Sequence, residues 1–158
     1  MPMLRLADYL REEFVLWELP SSDKPSFLKS LAAEVAARVP VVDETELLAR
    51  LVEREEERST GVGGGLALPH ARVGGMEGTV LLVGRTREAL DFGAPDGEPV
   101  DLFFLLLSPP EAKNEHLRLL ARVARIFAPE GILGKLRGAS GPKQLFQLLL
   151  EEDARHVY

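Results

Sequence analysis

The chain has 158 residues, enough for a domain that buries its own core without disulfide or metal staples. Its formal charge of −6 gives no general electrostatic grip on nucleic acid or an anionic membrane, so protein partners or small anions are expected. Cysteine is absent, which excludes disulfide frameworks, thiolate zinc sites and cysteine nucleophiles and fits a reducing, cytoplasmic setting.

At the N-terminus, Arg5, Asp8, Arg11, Glu12 and Glu13 interrupt any signal-peptide core, and the longest aliphatic–aromatic run, Leu102 to Leu107, is too short to span a bilayer. Phe14 to Trp17 is a short apolar run followed by the helix-starting residues Ser21, Ser22 and Asp23. From Pro25 to Val39 the residues Phe27, Leu28, Leu31, Val35 and Val39 recur at helical spacing. Asp43 to Glu46 reads as a capping box opening a second helix to about Arg54 or Glu57, with Leu47, Leu48, Leu51 and Val52 inward.

Between Ser59 and Gly65 the pattern collapses into small residues, and Leu66 to His70 then resumes as a short extended piece stopped by Pro69. Val80 to Val83 and Val100 to Leu107 are the clearest strands; the second is apolar on both faces, as at the centre of a covered sheet. Asp91 to Pro99 is a loop. Asn114 is expected to cap a helix with Leu117, Leu120, Val123, Ala124 and Phe127 inward, and shorter helices follow at Ile132 to Leu136 and, capped by Ser140, at Pro142 to Leu150. There is no repeat, low-complexity tract or linker. Residues 1–158 therefore read as a single α/β domain, a mixed β-sheet flanked by helices on both faces.

The glycine run Gly61 to Gly65 matches no nucleotide loop. Leu66-Ala67-Leu68 stands where a phosphate loop needs Gly-Lys-Ser/Thr, and the run follows a helix and precedes a strand, the reverse of a dinucleotide fingerprint. What remains is a small-residue loop with Ser59 and Thr60 at its entrance, ending five residues before His70. Small residues let successive backbone N–H groups face one point, which is an anion site, and a neutral imidazole beside such a site can take a phosphoryl group on a ring nitrogen. An isolated Pro-His reads first as a histidine at a strand end. His116 changes the weighting, because a first-turn position favours a nearby anion and disfavours imidazolium; a solvated first-turn residue is an equal reading. Arg54 belongs to a charge run that reads as a solvated helix end, or as a fork for phosphate oxygens.

Together, Arg54-Glu55, Ser59-Thr60-Gly61-Val62-Gly63, Ala67-Leu68-Pro69-His70-Ala71-Arg72, Asp96 to Leu102 and Glu115-His116-Leu117, in that order, resemble enzyme IIA of the bacterial phosphotransferase system, fructose/mannitol class. The nearest branch is the nitrogen-regulatory IIA protein, with its short N-terminal helix falling on Leu4 to Leu10. The resemblance implies a mixed sheet flanked by helices, the phosphorylated histidine at His70, and a second active-site histidine and an arginine at His116 and Arg54. The phosphate oxygens are then expected on Thr60 and the backbone of Gly61, Gly63 and Gly65. Gly64 departs from the pattern, standing where many members have Asn or Glu.

The reading that results is a phosphocarrier accepting phosphate from a histidine-containing phosphocarrier protein in a nitrogen-regulatory role, with no metal or organic cofactor. Its alternatives are a sugar-specific IIA component passing phosphate to a IIB domain, a docking-only regulatory module, and a zinc hydrolase using His70, His116 and a carboxylate.

Overall fold

A computed structural model describes residues 4–156. Asp23 starts the first helix as expected: its side chain accepts from the Ser26 N–H while Ser26 Oγ accepts from the Asp23 N–H, a reciprocal cap worth about 1 kcal/mol. That helix, α1 (Lys24–Arg38), buries Phe27, Leu28, Leu31 and Val35. Val39 caps its end, half-buried. Asp43 likewise caps α2 (Glu44–Glu57), which buries Leu47 and Leu51. Leu48 is only half-buried and Val52 is exposed, so the inward stripe is narrower than expected.

Six strands form one mixed sheet in the order β1 (Val15–Leu19), β5 (Val80–Leu90), β6 (Val100–Ser108), β3 (Leu66–Ala67) and β2 (Gly61–Gly63), with β4 (His70–Arg72) also paired to β6. β5 and β6 are antiparallel, β1 runs parallel to β5, and β3 and β4 run parallel to successive parts of β6. At the tightest point between β1 and β5, only glycine fits: a Cβ on Gly84 would overlap the Leu16 carbonyl. β6 is buried along nearly its whole length, so both of its faces are covered. Phe103 and Phe104 anchor this packing, Phe103 edge-on to Phe27 and Phe104 stacked on Phe127.

Several boundaries differ from the sequence expectation. β5 runs to Leu90 instead of ending at Val83, because pairing with β6 resumes at Leu90 opposite Val100 beyond a stretch of polar residues. The glycine run does not merely feed a strand. Gly61–Gly63 is itself paired with Leu66–Ala67, making a hairpin turned by Gly63, Gly64 and Gly65, all at positive φ.

The third helix, α3 (Lys113–Phe127), starts after Ala112 with no side-chain cap, and Asn114, expected as the cap, lies inside its first turn. Its inward stripe is His116, Leu119, Arg122, Val123, Ile126 and Phe127; Leu117 is exposed, and Leu120 and Ala124 are half-buried.

α4 (Glu130–Arg137) brackets the expected short helix. α5 (Pro142–Arg155) starts after Gly141 with no side-chain cap, in place of the expected cap at Ser140, and continues past Leu150. Its extra turn is held by buried acids: Asp153 pairs with Arg122 at 2.8 Å and accepts from the Leu6 N–H at 2.9 Å, and Glu152 pairs with Lys135 at 3.0 Å. In place of an N-terminal helix over Leu4 to Leu10 there are 3-10 turns at Leu6–Asp8 and Glu12–Phe14.

Candidate functional site

Proline at 69 creates the site. β3 and β4 would be one continuous strand along β6, but Pro69 has no N–H to give a ladder, and the chain is interrupted there. Its carbonyl still accepts from the Leu106 N–H at 3.1 Å, which keeps β4 in register, with His70 opposite Leu106 and Arg72 opposite Ser108. The Leu68 carbonyl, released from the ladder, accepts instead from His70 Nδ1 at 2.9 Å. A carbonyl only accepts, so the His70 proton sits on Nδ1 and Nε2 is left with its lone pair.

That lone pair faces Arg54 of α2, whose Nε–H donates to His70 Nε2 at 3.1 Å. Arg54 is steadied in turn by the Arg58 carbonyl at 3.0 Å. From the other side comes His116, one turn into α3, its ring edge-on to His70 with centroids 5.4 Å apart. A cleft of about 450 Å³ opens over these groups, lined also by Arg50, Glu53, Glu57, Ala71, Arg72 and Leu117. It lies at the carboxyl ends of the parallel strands β4 and β6, where ligands bind in open α/β sheets.

Both histidines are held neutral. Burial pushes His116 down to about 4, helped by His70 and by the positive charge of Arg72. Burial also lowers His70, with the Leu68 carbonyl acting against it and Arg54 reinforcing it. A neutral imidazole with a bare Nε2, beside an arginine fork, is chemically a nucleophile for an anionic electrophile.

Arg54, His70 and His116 thus converge, and His116 is buried rather than solvated. Thr60, Gly61, Gly63 and Gly65 do not line this cleft. Thr60 is buried, with its hydroxyl and its N–H both donated to the Glu55 carboxylate, which Lys24 neutralises at 2.6 Å. Its carbonyl accepts from the Leu68 N–H at 2.9 Å, so Thr60 acts on His70 by fixing Leu68. The Gly61 N–H is occupied by Ser59 Oγ at 3.0 Å.

Gly63 and Gly65 line a different cleft with Asp96, Asp101 and Arg137. There Asp96 accepts from the Gly64 N–H at 2.8 Å, and Arg137, paired with Asp101, donates to the Gly64 carbonyl. The loop is therefore stiffened from outside, without a side chain at 64. Gly65, at φ +84°, leaves the room that Arg137 fills.

Sequence reading missed Arg50 and the pair behind His116, Ser108 and Thr79; only the Glu115-His116 motif signalled that region. Among the described residues no group of three or more His, Cys, Asp or Glu converges to hold a metal ion, so the zinc reading lacks its donor set. No helix among them is long and apolar enough to cross a membrane.

Residues 8–152 match the family described as phosphoenolpyruvate-dependent sugar phosphotransferase system, EIIA 2. The chain is 36% identical over 149 residues to a nitrogen regulatory protein of Pseudomonas aeruginosa, covering 94% of this chain and 97% of that one. It is 35% identical over 143 residues to a PTS system fructose-specific EIIA component of Haloferax volcanii, covering 89% and 90%. In structure it is similar to the nitrogen regulatory protein IIA-Ntr of Neisseria meningitidis, with a TM-score of 0.83, 29% identity and coverage of 91% and 98%.

Proposed function

Since the chain belongs to the EIIA 2 family of the phosphoenolpyruvate-dependent sugar phosphotransferase system, we propose that it is a phosphocarrier that takes a phosphoryl group onto His70 Nε2 from the phosphohistidine of a histidine-containing phosphocarrier protein. The observation that carries this reading is the Leu68 carbonyl on His70 Nδ1, which leaves Nε2 as the only nucleophilic ring nitrogen.

In the transfer, the His70 Nε2 lone pair forms the new N–P bond as the donor's N–P bond breaks, its electron pair returning to the donor imidazole. His70 keeps its Nδ1 proton on Leu68, so the phosphorylated ring is cationic and remains a good leaving group for onward transfer. Arg54 gives up Nε2 and turns its guanidinium to the phosphoryl oxygens, and His116 sits beside them. The transition state is loose, so placement and charge stabilisation supply most of the catalysis.

Protein incubated with a phosphorylated carrier should gain one acid-labile, base-stable phosphoryl group, and His70→Ala should gain none. Normal labelling of that variant would overturn the assignment.

The regulatory role is supported by the nitrogen regulatory relatives in Pseudomonas aeruginosa and Bradyrhizobium diazoefficiens. The fructose-specific relative supports a sugar-specific second reading. If the role is regulatory, pull-downs with the two phosphorylation states recover different partners, and sugar-specific IIB domains of the same genome accept phosphate poorly. Rapid His70-dependent transfer to one IIB, with no state-dependent partner, decides for transport.

A further inference from the structure

Behind His116 lies a continuous chain of polar contacts that the transfer chemistry above does not use. His116 Nδ1 is 2.8 Å from Ser108 Oγ, and Ser108 Oγ is 2.9 Å from Thr79 Oγ1. Thr79 Oγ1 is 2.8 Å from Glu115 Oε1, and the Tyr9 hydroxyl donates to Glu115 Oε2 at 3.0 Å. His116, Ser108 and Thr79 are all buried, so the protein itself must satisfy them. The members come from four places: the turn before β5, the end of β6, the first turn of α3 and the N-terminal segment.

Counting protons fixes the direction of the chain. A carboxylate only accepts, so Tyr9 and Thr79 both point their hydrogens at Glu115. Thr79 Oγ1 is placed to donate to either Ser108 Oγ or Glu115 Oε1, but it has one hydrogen; the charged carboxylate makes the stronger bond and takes it, so the contact with Ser108 uses the Ser108 hydrogen. The Ser108 oxygen is left to accept from His116, which therefore carries its hydrogen on Nδ1. Every other assignment with an ionised Glu115 leaves two lone pairs facing each other inside the fold. The Tyr9 hydroxyl is firmly a donor here: burial and the Glu115 bond push it up to about 12.

We propose that Glu115 is a positioning residue for His116, acting through Thr79 and Ser108 to hold the proton on Nδ1 and leave Nε2 as the nitrogen presented to the cleft. The consequence for transfer rests on the phosphocarrier reading. A phosphoryl group on His70 brings negative charge beside that bare Nε2, which then binds one solvent proton. The resulting imidazolium donates to the phosphoryl oxygens, and its Nδ1 end is stabilised along the chain to the Glu115 carboxylate. His116 is thereby neutral when the site is empty and cationic when it is loaded.

The test uses the unphosphorylated full chain labelled with ¹⁵N-histidine, in which long-range ¹H–¹⁵N spectra separate the two tautomers. His116 should be the Nδ1–H form. Thr79→Val keeps the shape and cuts the chain; it should raise the Nε2–H fraction and slow phosphate acceptance from a phosphorylated carrier about tenfold. Thr79→Ser, which restores the hydroxyl, should restore both, and Glu115→Gln, whose amide offers Thr79 either a donor or an acceptor, should mix the tautomers.

An Nε2–H tautomer in the unmodified protein would overturn the proposal. So would a wild-type tautomer in Thr79→Val or Glu115→Gln, or a Thr79→Ser that behaves like the valine variant. If no form accepts phosphate, the phosphocarrier reading fails while the tautomer result stands by itself.

Discussion

Arg54 Nε donates to His70 Nε2 across 3.1 Å, so the guanidinium occupies the lone pair that the proposed transfer would use against phosphorus. In the proposed transfer Arg54 is a placeholder for the incoming group and its counter-charge once the bond forms.

Arg54→Ala should therefore slow phosphate acceptance by about 10²-fold with little loss of stability, because the side chain is partly exposed at the edge of the cleft. Arg54→Lys should recover only part of the rate, since an ammonium lacks the planar fork that spans two oxygens. Rapid-quench transfer kinetics, with circular dichroism to confirm folding, measure both.

His116→Ala should still take phosphate on His70, about tenfold more slowly in both directions. Equal forward and reverse rates in the variant and the parent would remove His116 from the chemistry.

Acidification should weaken the fold through His116. Its ordinary value is 6.5 and burial lowers it to about 4. Between those values the unfolded chain binds a proton that the folded chain refuses, so the free energy of unfolding falls as pH falls through this window and is at its full value above 6.5. Urea midpoints from pH 7 to pH 5 should record a loss on the order of 1 kcal/mol or more from this group. His116→Gln should flatten that part of the profile.

Asp96→Ala should loosen the glycine hairpin without touching the chemistry. Losing the carboxylate on the Gly64 N–H costs about 1 kcal/mol locally and should speed exchange of that amide, while acceptance of phosphate on His70 is unchanged. A slowed transfer would return the hairpin backbone to the phosphate site.

The residues that converge in the cleft were legible because they sit in short local patterns. Pro69-His70 marks both the strand break and the proposed nucleophile, and Arg54 and His116 each stand in a motif with an acidic neighbour. The cap at Asp23 was legible for the same reason: its partner Ser26 is three residues away.

What escaped depends on long-range pairing. Nothing local extends β5 beyond Val83, since the residues that continue it are mostly polar and only pairing with β6 and β1 makes them a strand. Ser108 and Thr79 look like ordinary strand-end hydroxyls until the sheet sets them against α3. The glycine run misled because its composition suggests free amides, whereas Ser59 and Asp96 already occupy two of them.

Asp153 binds the Leu6 N–H and Arg5 on one side and Arg122 of α3 on the other, so the first turn docks on a surface that exists only once α3 and α5 have packed. A contact closed across so long a stretch of sequence is expected late in assembly. Tyr9 lies three residues beyond Leu6, and when that segment lifts, Glu115 loses one of its two donors. On the proposed polar chain, an opening around Leu6 should reach His116 from behind, along a route that bypasses the cleft and anything docked in it.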